Sequence, residues 1–339
     1  MSLRIVFFSR LSFVAKLAWV VLLAGLAAAC STTTTLNSVK VPQSDSTKHA
    51  AIVVDGSNGR VLYQSNAEAR RYPASLTKMM TLYMTFEAME SGRLSKATQI
   101  PVSAYAAARP PTKIGFRPGQ SIDVDSAVYA LCTKSANDVA VALGEALGGT
   151  EERFAQMMTV KARQLGMRST VFRNASGLPD DQQVTTARDM ALLGMALRKR
   201  FPQHFSYFSS RSFSYRGKTI RGHNDLLGRV QGVDGIKTGY IRASGFNIVT
   251  SVSTDGRKLV VVVMGGDTAR SRNAEVEQLI ERYLPQASRS ARPVDEAPAS
   301  IPVAASASTT PSETLGMPAA PLPGTALVGV PARPEMPVE

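Results

Sequence analysis

Ser75-Leu76-Thr77-Lys78, Ser135-Ala136-Asn137 and Lys237-Thr238-Gly239 follow one another along a chain of 339 residues, and their order says more than any other feature of it. Singly each is weak, because a Ser-x-x-Lys or Ser-x-Asn match arises roughly once by chance at this length. A second Ser-x-Asn, Ser271-Arg272-Asn273, lies downstream of Lys-Thr-Gly, in the wrong order, and is set aside. Order, separation and local context together assemble a serine nucleophile that needs no histidine.

The context of the first cluster is a helix start. Pro73 opens an apolar-periodic segment from Leu76 to Met89, and Gly92 stands just beyond its end. Ser75 therefore falls in the first turn, with Lys78 stacked over the same face. Backbone N–H groups and the helix dipole favour negative charge on the serine oxygen there and disfavour a protonated lysine. A serine hydroxyl needs a base, and lysine serves only if burial or a neighbouring cation lowers its pKa. Lys237 is that second cation. Ser135 offers a hydroxyl to pass a proton between the lysines and a leaving amine, and Asn137 an amide for a substrate carbonyl. Lys237 and Thr238 suit a terminal carboxylate, and Gly239 lets substrate backbone lie against the strand. The N–H groups of Ser75 and Tyr240 are candidates for an oxyanion hole.

The rest of the chain frames this chemistry. Hydrophobic residues make up 44%, enough for a real core. Arg4, Arg10 and Lys16 precede an apolar run from Leu17 to Ala29, the pattern of an export signal over residues 1–30. It closes Leu26-Ala27-Ala28-Ala29-Cys30, similar to a lipoprotein box with Cys30 as the lipidated terminus, although Leu26 sits one place too early. Cleavage after an Ala-x-Ala site and an uncleaved anchor are the alternatives, and all three put the protein outside the inner membrane, in the periplasm or its equivalent. Cys30 and Cys132 are the only cysteines, so loss or lipidation of Cys30 leaves no internal disulfide. Cys132 reads as a small buried hydrophobe. His49, His204 and His223 form no pattern, and no metal-ligand spacing occurs, so neither a metal nor another cofactor is expected. The formal charge of +13 suits anionic surfaces. Its dispersal, without a stripe interleaved with aromatics, argues against nucleic acid.

Residues 31–48 read as a polar tether, 49–285 as the catalytic domain, and 286–339 as an Ala/Pro/Ser-rich tail that cannot order itself. Inside the domain, Ala50–Val54 and Val61–Tyr63 predict a hairpin, and Phe246–Ser253 with Leu259–Met264 a second whose latter strand is apolar on both faces. Lys237-Thr238-Gly239 is placed on an edge strand before it. Helices are expected over Asp138–Leu147, Glu151–Leu165, Met190–Leu197 and Ser271–Leu284, with Ser135 and Asn137 in a connection between two helices, exposed enough to face a cleft.

At these residues the chain resembles the penicillin-recognising serine enzymes, and within them the D-alanyl-D-alanine carboxypeptidases, the low-molecular-mass penicillin-binding proteins. The resemblance rests on Pro73 to Thr81, Ser135 to Ala140, Phe172-Arg173-Asn174-Ala175-Ser176-Gly177-Leu178-Pro179 and Gly235 to Tyr240, and spans about Ala50 to Leu284. It implies an α+β transpeptidase-like fold, an antiparallel sheet flanked by helices with a mostly helical lobe. It also implies attack by Ser75 on the terminal D-alanyl bond of a peptidoglycan stem peptide, an acyl-enzyme opened by water, and acylation by β-lactams. The family commonly has threonine where this chain has Ile241. An endopeptidase that cuts wall cross-links uses the same residues, and a scaffold that only binds wall peptides is the non-enzymatic alternative. A class A β-lactamase would carry a glutamate four residues before Asn174, and that residue is Thr170.

Overall fold

The computed structural model describes residues 47–289. Five antiparallel strands form one sheet in the order β2-β1-β9-β8-β7: β1 Ala50–Asp55, β2 Val61–Ser65, β7 Val233–Ile241, β8 Gly245–Thr254 and β9 Arg257–Gly266. Both expected hairpins are present, and β7, with Lys237-Thr238-Gly239, is an edge strand.

The central strand β9 explains why one apolar run serves two cores. Successive side chains in a strand point to opposite faces. Val260, Val262 and Met264 therefore join Ile52 and Val54 of β1 on the face toward the helical lobe. Leu259, Val261 and Val263 join Ala51 and Val53 on the other, against Val276, Leu279 and Ile280. That second core is closed by the last helix, which starts at Ala269 behind a Thr268/Ser271 capping box, two residues before the expected Ser271.

The lobe is built around α1, Lys78–Glu90, whose residues are buried nearly all round, as a central helix requires. A small hairpin of β3 (Gln99–Pro101) and β4 (Ser121–Asp123) encloses the single turn α2 (Ala104–Ala107). Then come α3 (Val124–Tyr129), α4 (Asn137–Gly148), α5 (Glu151–Gln164) and α6 (Ala187–Arg200), the last lying on the sheet. Thr186 caps α6 by accepting from the Asp189 amide, and Arg198, Lys199 and Arg200 fill its last turn. A hairpin of β5 (Ser212–Tyr215) and β6 (Lys218–Arg221) precedes β7, and α7 is Ala269–Tyr283. Cys132 packs partly buried against the lobe core, and burial pushes its thiol up to about 12, the state of an inert small hydrophobe.

Other boundaries differ from expectation as well, α6 running three residues further at each end than Met190–Leu197. The helix predicted from Leu76 is preceded by a 3-10 turn, Ala74–Thr77, and becomes α-helical only at Lys78, because Leu76 N bonds Pro73 O three residues back. Hydrogen bonding also runs past residue 285. The Ser288 amide donates to Asp55 Oδ2 at 2.8 Å, Asn58 Nδ2 to Ser288 Oγ, and the Arg257 guanidinium to the Ala287 carbonyl. At the other end Arg71 Nε holds the Lys48 carbonyl at 2.7 Å. The leader, Cys30, the tether up to residue 46 and the tail from residue 290 lie outside the described residues. Among the described residues no helix is long and apolar enough to cross a membrane.

Candidate active site

The 3-10 turn sets the first contact. With about three residues per turn, positions i and i+3 eclipse, so Lys78 lies directly over Ser75. Lys78 is fully buried, its Nζ 3.2 Å from Ser75 Oγ, 2.7 Å from Asn137 Oδ1 and 2.5 Å from the Ser176 carbonyl. Burial, then the charge of Lys237, holds its ammonium well below the usual lysine range, against the opposing carboxylates of Asp138 and Glu151. Asn137 Oδ1 and Ser176 O can only accept. They take both hydrogens of a neutral amine, and the lone pair is left facing the Ser75 hydroxyl.

Ser135 and Asn137 come from the lobe. A π-helical turn, Ala130–Lys134, ends with Ser135 in the left-handed region (φ 58°, ψ 39°), and α4 starts at Asn137. These residues face the groove, but only 4% and 5% of their surface is accessible, because the 110–115 loop lies over them. Asn137 N donates to Thr112 O, Asn137 Nδ2 to Pro110 O, and Thr112 Oγ1 to Ser135 O. Asn137, expected on substrate, is thus first a clamp between Lys78 and this loop; one Nδ2 hydrogen remains for a substrate carbonyl. Ser135 Oγ is buried and has no hydrogen-bond partner. An unpaired buried hydroxyl costs roughly 1–3 kcal/mol, which marks it as a group kept for something other than stability.

The third side is β7. Lys237 is 2% exposed and donates to the Thr238 carbonyl at 2.8 Å; burial pushes its pKa down to about 8, with Arg272 adding to the fall and Cys132 opposing it. A Cβ on Gly239 would sit 3.0 Å from Ser75 N, so only glycine lets the strand approach Ser75 so closely. Ser75, Ser135, Asn137, Thr238, Gly239 and Tyr240 line one groove of about 400 Å³, with Lys78 and Lys237 beneath it. Every anticipated site residue within the described chain is in or under this groove.

Several contributors carried no role in the sequence reading. The Ser176 carbonyl that orients Lys78 lies in the quoted Asn174-Ala175-Ser176-Gly177 segment. That segment is held by Glu151 Oε1 on the Ala175 amide, Thr81 Oγ1 on the Ala175 carbonyl and Asn174 Oδ1 on the Gly177 amide. Gly177 (φ 84°) packs so close that a Cβ would fall 1.9 Å from Ala74 O. Asp138, quoted only as context, accepts from the Ile114 and Gly115 amides and pins the covering loop. Arg272, inside the Ser-x-Asn match that was set aside, lines the groove. Its Nη1 donates to Asn247 O at 3.1 Å, and burial lowers it to about 10. His223 also lines the groove, its pKa lowered by partial burial and by Lys237 and Lys134. Thr170 Oγ1 donates to Asp189 Oδ2 at 2.6 Å and is wholly buried, a structural tie at the place a β-lactamase would use for its glutamate.

Residues 36–268 match the sequence profile of the D-alanyl-D-alanine carboxypeptidases. D-alanyl-D-alanine carboxypeptidase DacA of Escherichia coli K12 is 35% identical over 247 residues, 71% of this chain and 61% of that protein, so the chain spans about three-fifths of that relative's length. Penicillin binding protein 5 from Haemophilus influenzae has the same fold, with a TM-score of 0.67 at 30% identity over 71% of each chain. Penicillin-Binding Protein D2 from Listeria monocytogenes, solved with ampicillin bound, gives 0.61 at 32% identity over 68% of this chain and 95% of its own. The profile match covers more than half of the chain and includes Ser75, Lys78, Ser135, Asn137 and Lys237-Thr238-Gly239, and the chain belongs to the D-alanyl-D-alanine carboxypeptidase family.

Proposed function

We propose that the protein is a serine D-alanyl-D-alanine carboxypeptidase that trims the terminal D-alanine from peptidoglycan stem pentapeptides. The observation that carries this reading is the fully buried Lys78 amine, whose two hydrogens have acceptors in Asn137 and Ser176 and whose lone pair is left for Ser75. Lys78 takes the Ser75 proton as Oγ attacks the carbonyl, and the amides of Ser75 and Tyr240 receive the developing oxyanion. The unpartnered Ser135 hydroxyl relays the proton to the leaving nitrogen. Asn137 Nδ2 holds the peptide carbonyl, while Lys237, Thr238 and Gly239 take the terminal carboxylate and backbone. Water then cleaves the ester. β-Lactams carry a carboxylate beside an acyl bond and acylate the same oxygen.

This chemistry needs a compartment where wall peptides are found. Residues 1–30 supply the export signal and Cys30 the candidate lipid anchor, which places the domain in the periplasm at the membrane face. Cys30→Ser releases the protein from membranes if the anchor is a lipid; unchanged retention removes Cys30 from that role.

The decisive experiment incubates the full chain with a pentapeptide and with a cross-linked dimer. Free D-alanine from the first supports the carboxypeptidase. Cleavage of the dimer alone makes the enzyme an endopeptidase, and no product from either leaves only peptide binding. Ser75→Ala should abolish both hydrolysis and covalent penicillin labelling, and persistent labelling would remove Ser75 from the mechanism.

A further inference from the structure

Given Ser75 as the acylated nucleophile, charge locates the end of the groove that holds the departing residue. A carboxypeptidase substrate carries its free carboxylate on the amino acid that leaves. The cations placed to meet it are Lys237, under Thr238, and Arg272, which is fixed to the Asn247 carbonyl. Beside this cationic spot the wall is carbon. Tyr240 is 54% exposed and packs against Phe246 with ring centroids 4.3 Å apart and the ring planes tilted by 33°, and both line the groove together with Ile241 and Ala269. Ile241 is the last residue of β7, paired with Gly245 across the tight turn, and only half-buried. An exposed aromatic face next to a half-buried branched alkyl group is surface that a ligand can dry.

We propose that this end is a subsite for an apolar D-amino acid larger than alanine, so that the enzyme releases D-leucine- or D-phenylalanine-like residues in preference to D-alanine. The reaction is that of the preceding section: the Ser75 Oγ–acyl bond forms, the peptide C–N bond breaks, the departing nitrogen takes the proton, and water opens the ester. Only the departing side chain differs. The methyl of D-alanine leaves Tyr240 and Ile241 wet, whereas a leucine side chain adds three carbons against them. Even with half of that added surface covered, kcat/KM should rise by at least about fivefold.

The test measures amino acid release by the full-length protein from one pentapeptide ending in D-alanine, D-leucine or D-phenylalanine. The expected result is a kcat/KM at least about fivefold higher for the D-leucine peptide, with Ile241→Thr bringing the leucine-to-alanine ratio close to one. A melting curve shows whether that variant is folded. Release of D-alanine with equal or slower release of the larger residues overturns the subsite and leaves the carboxypeptidase reading standing. Release of none of the three overturns both.

Discussion

Acylation of Ser75 by a penicillin should be a bell-shaped function of pH, with the alkaline limb near 8, far below an ordinary lysine. Lys237 is the group responsible. Its pKa of about 8 follows from its burial under Thr238, and its charge is what the proposed mechanism uses to hold the carboxylate. The protonated fraction falls from about nine-tenths at pH 7 to about one-tenth at pH 9, and the second-order rate follows it. Arg272, lowered only to about 10, stays charged across this limb and sets the floor. The acid limb belongs to Lys78, which burial and Lys237 hold well below the usual range and which must be neutral to take the serine proton. The perturbation is Lys237→His. An imidazole in water titrates near 6.5, so the limb moves to about 6.5 or below, and at pH 8 only about one variant molecule in thirty is charged. Stopped-flow acylation with a fluorescent penicillin across pH gives the profile. A second acyl donor lacking a carboxylate should show no limb at 8. A wild-type limb above 10, or a variant limb that does not move, would refute the assignment of the carboxylate site to Lys237.

Lys78→Ala should slow acylation by roughly 10³-fold or more, because nucleophile and base act as a unit; a near-wild-type rate in the penicillin assay removes Lys78 as the base. Ser135→Ala deletes a hydroxyl with no partner, so the melting temperature should hold or rise while acylation falls about 10²–10⁴-fold; a loss of stability instead would make Ser135 structural. Gly177→Ala puts a Cβ into the Ala74 carbonyl at 1.9 Å and forces Ser75 to shift. Displacement of that kind costs on the order of 10²-fold in rate, read as slower labelling of a protein that still melts cooperatively. Lys237→Met tests the cost of the buried cation. In the folded chain Lys237 sheds its proton above about 8 and in the unfolded chain only near 10.5, so wild-type stability rises with pH between those values. The variant lacks this rise and is more stable below pH 8 by up to about 3 kcal/mol, as denaturant titrations at two pH values would show.

The parts of the site that were legible in the sequence are those where side-chain type and backbone role coincide. Lys78 follows Ser75 by three residues, and a helix start can place such a pair in only one way. Lys237-Thr238-Gly239 precedes a strong hairpin pattern, so its position on an edge strand follows from register. What could not be read depends on loops. The 110–115 segment that buries Ser135 and Asn137 has no periodicity, and its placement comes from Asp138 accepting two of its amides, a long-range contact that no local pattern encodes. The Ser176 carbonyl is a backbone group, invisible to any motif of side chains. Arg272 sits one turn inside a helix whose sequence reads as an ordinary capped, amphipathic segment. Its place in the groove comes only from how α7 lies against β8, where its Nη1 donates to the Asn247 carbonyl.

Several unfavourable features of this molecule are gathered around the groove. Two lysines are buried there without a salt bridge, Ser135 combines a left-handed backbone with an unpaired hydroxyl, and Ala74, next to the nucleophile, also has a positive φ of 48°. Each costs of order 1–3 kcal/mol, and each persists only where its surroundings over-determine it. Those surroundings are the two cores on either face of β9, joined through a strand with alternate side chains committed to opposite sides. A shift of β9 by one residue would exchange the two sets and break both cores, so its register is fixed. The register of β9 fixes β8 and then β7, and through Gly239 the distance from the strand to Ser75. The strain at the nucleophile is thus sustained by apolar residues that never touch substrate, and weakening Val261 or Val262 should loosen the catalytic geometry before it unfolds the chain.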